Sequence, residues 1–103
     1  MYVPLVKGMT MHANVVEVAV DPSADPERKG LHEVVIPRVR QLPGLVAAFW
    51  LEPVDDKGLS IAVFETEEAA RGAMETMGIK VGASPVPGVT VERVQTREVI
   101  GRA

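Results

Sequence analysis

The sequence predicts an α+β domain with the ferredoxin-like element order β-α-β-β-α-β, a four-stranded antiparallel sheet carrying two helices on one face. Three observations lead there. Four stretches rich in β-branched and apolar residues are interleaved with two stretches of helical spacing. A turn sequence, Asp55-Asp56-Lys57-Gly58, joins the middle two apolar stretches as a hairpin. A helix follows strand one and another follows strand three, so a single βαβ unit occurs twice.

Strand one is Asn14–Asp21, with Val16, Val18 and Val20 on one face and Val15, Glu17, Ala19 and Asp21 on the other. Asp25 then suits a helix N-cap and Pro26 the first helical position, where a missing N–H costs nothing. The first helix is expected from residue 26 to about residue 41, with Leu31, Val34, Val35, Val39 and Leu42 at helical spacing. Pro37 removes the bond to the Glu33 carbonyl and kinks this helix. Pro43-Gly44 ends it.

Strand two runs from about Leu45 to Val54 and strand three from Leu59 to Glu65, with Gly58 in the turn between them able to take a positive φ. Thr66 caps the second helix, and Glu67 and Glu68 sit in its first turn, where the helix dipole favours negative charge. Ala69, Ala70, Ala73, Met74 and Met77 line its inner face, and Gly78 stops it. After a Pro/Gly-rich loop at residues 80–88, the last strand spans Val89–Ile100, with Val89, Val91 and Arg93 on one face.

From Leu45 to Leu51 every residue is apolar. Alternate side chains on a strand point to opposite faces, so this strand is apolar on both. A small antiparallel sheet with one wet face shows alternation instead. The second face therefore needs a cover, and a second copy of the chain is the expected one. The partner expected from the residues alone is thus the chain itself, as a homodimer.

The composition excludes several classes. With 103 residues the chain forms one domain, 12–103, preceded by an N-terminal extension, 1–11, that is expected to be dispensable for folding. A net charge of −3 offers no general attraction to nucleic acid. There is no cysteine, hence no disulfide, thiolate metal site or thiol nucleophile. No apolar run is long enough to span a bilayer, and the start MYVPLVKGMTMHA does not resemble a signal peptide. A cytoplasmic location, no membrane and no nucleic-acid partner are the resulting expectations.

The Pro43-Gly44 entry into strand two, the DDKG turn, the run LSIAVFETEEAA and the closing PGVTVERVQTREVIGRA resemble the dimeric α/β-barrel superfamily. Its best-known branch is the antibiotic-biosynthesis-monooxygenase-like domains. The resemblance covers about residues 12–103 and rests on pattern and element order. It implies a homodimer with two sheets packed face to face, and a pocket between each sheet and its own helices. In cofactor-independent oxygenases of this group it implies an Asn, a Trp and a His or Tyr around an aromatic substrate or a heme. Asn14, at the start of strand one, falls at a place for that Asn. The third-strand position often filled by Trp is Phe64 here, and the second helix has no His.

The candidate catalytic residues are accordingly His32, as a general base near neutral pH, and Asn14. The plainer reading of His32 is a boundary histidine half in water, and of His12 an exposed residue before strand one. If Leu51 pairs with Leu59, then Val46, Ala48 and Trp50 share a face with Ser60, Ala62 and Phe64. Small residues beside two aromatics leave room for a flat ligand, which makes Trp50, Phe64, Ser60 and Met74 candidate ligand contacts. The alternative is an ordinary core with the methionines of helix two filling the gap. No cofactor and no metal site are expected. The functional expectation is a monooxygenase-like enzyme or binder acting on a small aromatic or apolar molecule, with a non-catalytic dimeric sensing or assembly module as the alternative.

Overall fold

A computed structural model describes residues 10–103 of the chain. The N-terminal extension, apart from Thr10 and Met11, lies outside the described residues. The elements are β1 (His12–Val20), α1 in two parts (a wide π-helical segment Gly30–Val35 and an α-helical turn Ile36–Val39), β2 (Leu45–Val54), β3 (Lys57–Phe64), α2 (Glu67–Met77) and β4 (Val89–Glu98). The four strands form one antiparallel sheet in the order β2-β3-β1-β4. Both helices cover the same face. This is the ferredoxin-like α+β arrangement.

Register decides which side chains meet the helices. In β1 the even-numbered residues do, beginning with Asn14, which pairs with Ala62 of β3 and Thr96 of β4. Leu51 pairs with Leu59, so Trp50 lies opposite Ser60 and Ala48 opposite Ala62, all on the helix side. A bulge between Leu45 and Ala47 then turns Leu45, rather than Val46, toward Phe64 and leaves Val46 exposed. A second irregularity, opposite Glu17 and Val18, sets Val91 against Val18 and Arg93 against Glu17. Val91 is therefore buried under the helix side, while Arg93 reaches Glu17 across the open face at 3.5 Å. The shared face expected for Val91 and Arg93 is lost to that one extra residue, as β-bulges do.

The hairpin turn also differs from expectation. Asp55 and Asp56 both take left-handed φ, 51° and 59°, in a two-residue loop between paired Val54 and Lys57. Such turns match the twist of the flanking strands, and Asp tolerates this conformation. Gly58 lies inside β3 instead. A Cβ there would meet Val18 Cγ2 at 2.9 Å, so glycine serves close approach of β3 to β1.

The core proper is small: Phe64, Ala70 and Ala73, with Leu42, Leu45, Ala62 and Ala69 against it. α2 is well formed. Thr66 Oγ1 accepts from the Ala69 N–H at 3.0 Å, and Gly78 closes the helix in the left-handed conformation with φ 65°. Its alanines let it sit close to the sheet.

α1 begins at Gly30, later than the expected residue 26. Arg28, with φ 56°, breaks any helix through Pro26. Asp25 still caps, but farther along: its two carboxylate oxygens accept from the N–H groups of Lys29 (3.0 Å) and Gly30 (2.7 Å). The Ile36 N–H donates to Leu31 O, a five-residue step that widens the turn ahead of Pro37. That widening accommodates a residue with no N–H and a ring that would strike the Glu33 carbonyl in α-register. The chain stays helical through Pro37 to Val39.

Candidate functional site

Between the sheet and the two helices lies a cavity of about 200 Å³. Its floor is the helix side of the sheet, including Val16, Val18, Trp50 and Ser60; its roof includes Leu31 and Val35 of α1 and Met74 and Met77 of α2. The Pro85–Pro87 loop closes one end. The lining is overwhelmingly apolar.

Asn14 is the buried polar group of this space, with 3% of its surface exposed. Its Nδ2 donates to Ala70 O at 2.7 Å, and its Oδ1 accepts from Thr96 Oγ1 at 2.8 Å. These bonds tie β1 to both α2 and β4. An amide nitrogen carries two N–H groups, and these two bonds use one of them. Asn14 is thus a fixed strut that retains one donor.

The candidate ligand contacts come together. Trp50, Ser60, Phe64 and Met74 all line the cavity. Phe64 is only 1% exposed, part of the permanent floor, whereas Trp50, Ser60 and Met74 keep partial exposure. His32 is elsewhere. It is exposed and lines a shallow groove between α1 and β2, on the outer side of the cavity wall, with Arg40 and Phe49. His32 and Asn14 therefore do not share a site. His12, expected before strand one, lies within it; its Nδ1 is 2.9 Å from Thr10 O and its Nε2 3.4 Å from Glu67.

Charged groups stand only at the mouth, where Asp21, Asp25 and Arg28 line the cavity. Both oxygens of Asp25 are spent on the start of α1. Asp21 Oδ1 accepts from the hydroxyl (2.6 Å) and N–H (3.1 Å) of Ser23. Those bonds, the hydroxyl first, hold its carboxyl below the ordinary aspartate range, against a small opposing desolvation. Arg28 was not singled out by sequence. Its left-handed backbone costs a non-glycine residue about 1 kcal/mol or more, and nothing in Asp-Pro-Glu-Arg signals it. Among the described residues, no group of three or more His, Cys, Asp or Glu is placed to hold a metal, and no helix is long and apolar enough to cross a membrane.

The other face of the sheet is apolar over β2 and β3. Phe49 is 59% and Leu51 48% exposed there, beside the half-buried Val15, Leu59, Ile61 and Val63. Toward β4 it turns polar, with Arg93, Gln95 and Arg97.

No family model matches the chain, and no curated protein matches it. Solved structures do. A protein of unknown function from Nitrosomonas europaea matches with a TM-score of 0.57 at 15% identity, over 93% of this chain and 95% of that one. A protein described as a candidate antibiotic biosynthesis monooxygenase from Chloroflexus aurantiacus J-10-fl matches with a TM-score of 0.58 at 11% identity, over 91% and 97%. At these identities the likeness is one of fold.

Proposed function

We propose that this chain is a monooxygenase-like small-molecule domain that takes an aromatic or apolar ligand into the cavity under its helices and works as a homodimer. The cavity itself carries the reading: a space of about 200 Å³, apolar throughout its interior, with one buried amide, Asn14. A few convergent polar groups in an apolar pocket are what orient a small ligand. The similarity to the Chloroflexus aurantiacus structure supports the class. In a monooxygenation without cofactor, an activated methylene of the ligand supplies both electron pairs. One atom of O₂ becomes its ketone oxygen and the other leaves as water. The free N–H of Asn14 suits the oxygen of an ionised phenolic ligand, where negative charge would be stabilised.

Trp50 is the sole tryptophan, so its fluorescence reports the site alone. Titration with 1-naphthol should quench it saturably, and Ser60→Phe, filling the space opposite Trp50, should abolish the effect. Absence of saturation in the parent protein would end the binding reading. Oxygen uptake with phenolic compounds, lowered by Asn14→Ala, would support the enzyme. The alternative, a non-catalytic sensing or assembly module, is favoured by one observation: neither His12 nor His32 lines the cavity.

The homodimer rests on the open apolar face. A stable interface buries about 800 Å² per partner, and Phe49, Leu51 and Ile61 lie at the centre of the candidate surface. Light scattering should give about twice the 11.1 kDa chain mass. Ile61→Glu should return it to the monomer.

A further inference from the structure

The groove beside the cavity has a charge that the rest of the chain does not. The molecule carries a net charge of −3, yet the groove between α1 and the edge strand β2 is lined by Arg28, His32 and Arg40, and by no carboxylate. Neither arginine has an ion-pair partner among the described residues. Groove and cavity adjoin: Arg28, Leu31, Val39, Trp50 and Leu51 line both, so these residues are the wall between them. Arg28 is held at that junction by a left-handed backbone, φ 56°, that an arginine does not favour. The two carboxylates at the mouth, Asp21 and Asp25, line the cavity but not the groove, and both are hydrogen-bonded within their own loop. An anion entering on their side would be repelled; one resting in the groove would meet only cations.

Building on the binding function proposed above, we infer that the ligand is an aryl carboxylate: its apolar body enters past Trp50, and its carboxylate stays in the groove on Arg28, with Arg40 adding to the field. A planar guanidinium matches a carboxylate in a two-point contact, which a lysine cannot reproduce. The indole of Trp50, which lines both spaces, suits a flat ring.

Three probes of one shape test this by Trp50 fluorescence: 2-naphthoate, neutral 2-naphthamide and cationic 2-naphthylmethylammonium. The naphthoate should bind at least tenfold tighter than the amide, and added salt should weaken it alone. Arg28→Gln should bring the naphthoate down to the level of the amide and leave the amide within twofold. Arg28→Gly, which suits the left-handed backbone and so guards against a folding defect, should do the same. Arg40→Gln should cost the naphthoate less. Equal binding of naphthoate and amide, tighter binding of the cation, or equal weakening of both neutral and anionic probes by Arg28→Gln would overturn the inference while leaving the cavity a binding site. Failure of all three probes would remove the binding function as well.

Discussion

The two βαβ halves of this domain are built to different tolerances. In the second half, β3 leads through a Thr66 cap into an 11-residue helix that ends on a left-handed glycine. Ala70 on its inner face is fully buried, with 0% exposure. In the first half, β1 leads through a loop with a left-handed arginine into a wide turn, a proline and a single α-helical turn. Of that composite helix only Val39 is buried. Small side chains draw α2 onto the sheet. Larger ones, Leu31 and Val35, together with the widened turn, hold α1 off it. The space that results is the cavity. One half is the platform, and the other is kept loose enough to leave room.

The sharpest test of this contrast compares core truncations. Phe64→Ala removes a ring that is 1% exposed in the packed half, and should cost about 3–5 kcal/mol. Leu31→Ala removes a half-buried side chain that already faces empty space, and should cost under about 1.5 kcal/mol. Urea denaturation of the two variants measures both. Equal losses would mean that α1 packs as tightly as α2, and the contrast would fail.

Asn14 is where the halves are joined, since its amide spans from β1 to α2 and β4. Asn14→Ala leaves the Thr96 hydroxyl and one bond to the Ala70 carbonyl unmade in a buried place, which should cost about 1–3 kcal/mol. Thermal melting should drop by several degrees, because about 1 kcal/mol corresponds to roughly 4–8 °C in a domain of this size. A change of less than a degree would show that the strut is dispensable.

The caps give a smaller effect with the same logic. Thr66→Ala should lower global stability by about 1 kcal/mol, the usual value of a helix cap. Asp25→Ala removes two bonds, yet it acts in the less buried half, so its effect should fall on amide exchange at Lys29 and Gly30 more than on the global melt. Hydrogen exchange separates the two. A global loss from Asp25→Ala as large as that from Thr66→Ala would tie α1 into the cooperative core.

Much of the packed half could be read directly from residues. Thr66, the two glutamates, the alanine stripe and Gly78 each carry a local rule, and all of them agree with the fold. The pairing of Leu51 with Leu59 entered as a condition; a two-residue turn closed by Val54 and Lys57 would by itself set Leu51 against Ser60, and an irregularity between Leu51 and Val54 brings it to Leu59. With that pairing Trp50, Ser60 and Phe64 share one face, and Met74 of α2 lines the same space. What escaped was everything set by a single extra or missing residue in context. The bulges that turn Leu45 inward and Arg93 outward have no signature in an alternating pattern. Among the described residues other than glycine, the positive φ angles fell on Asp55, Asp56 and Arg28, while Gly58 is needed for its missing side chain. The placing of His32 outside the cavity depends on helical phase, and the wide turn before Pro37 alters that phase. The role of Arg28 was invisible because no charge pattern in the chain distinguishes it from its neighbours; only the shared wall of cavity and groove does.

The smallest effect sits at the mouth of the loose half. Ser23 donates two bonds to Asp21 Oδ1 and holds that carboxyl below its ordinary value of 3.8. A group whose folded pKa is depressed contributes stability that is present above the unfolded pKa and is lost as pH falls through the folded one. The residues 21–25 loop should therefore stay closed at neutral and mildly acid pH and loosen only below the ordinary aspartate range. Asp21 is exposed, so the consequence is local. In an NMR titration the Ser23 amide resonance should shift with a midpoint below 3.8, while the amides of α2 show no response at that midpoint. Asp21→Asn, which keeps an oxygen acceptor but cannot titrate there, should remove the transition and leave the melt at neutral pH nearly unchanged. A Ser23 midpoint at or above the ordinary value would show that the two bonds do not persist in solution. A matching response in α2 would show that the mouth and the platform move as one, which is the outcome most damaging to a domain divided into a rigid half and a yielding one.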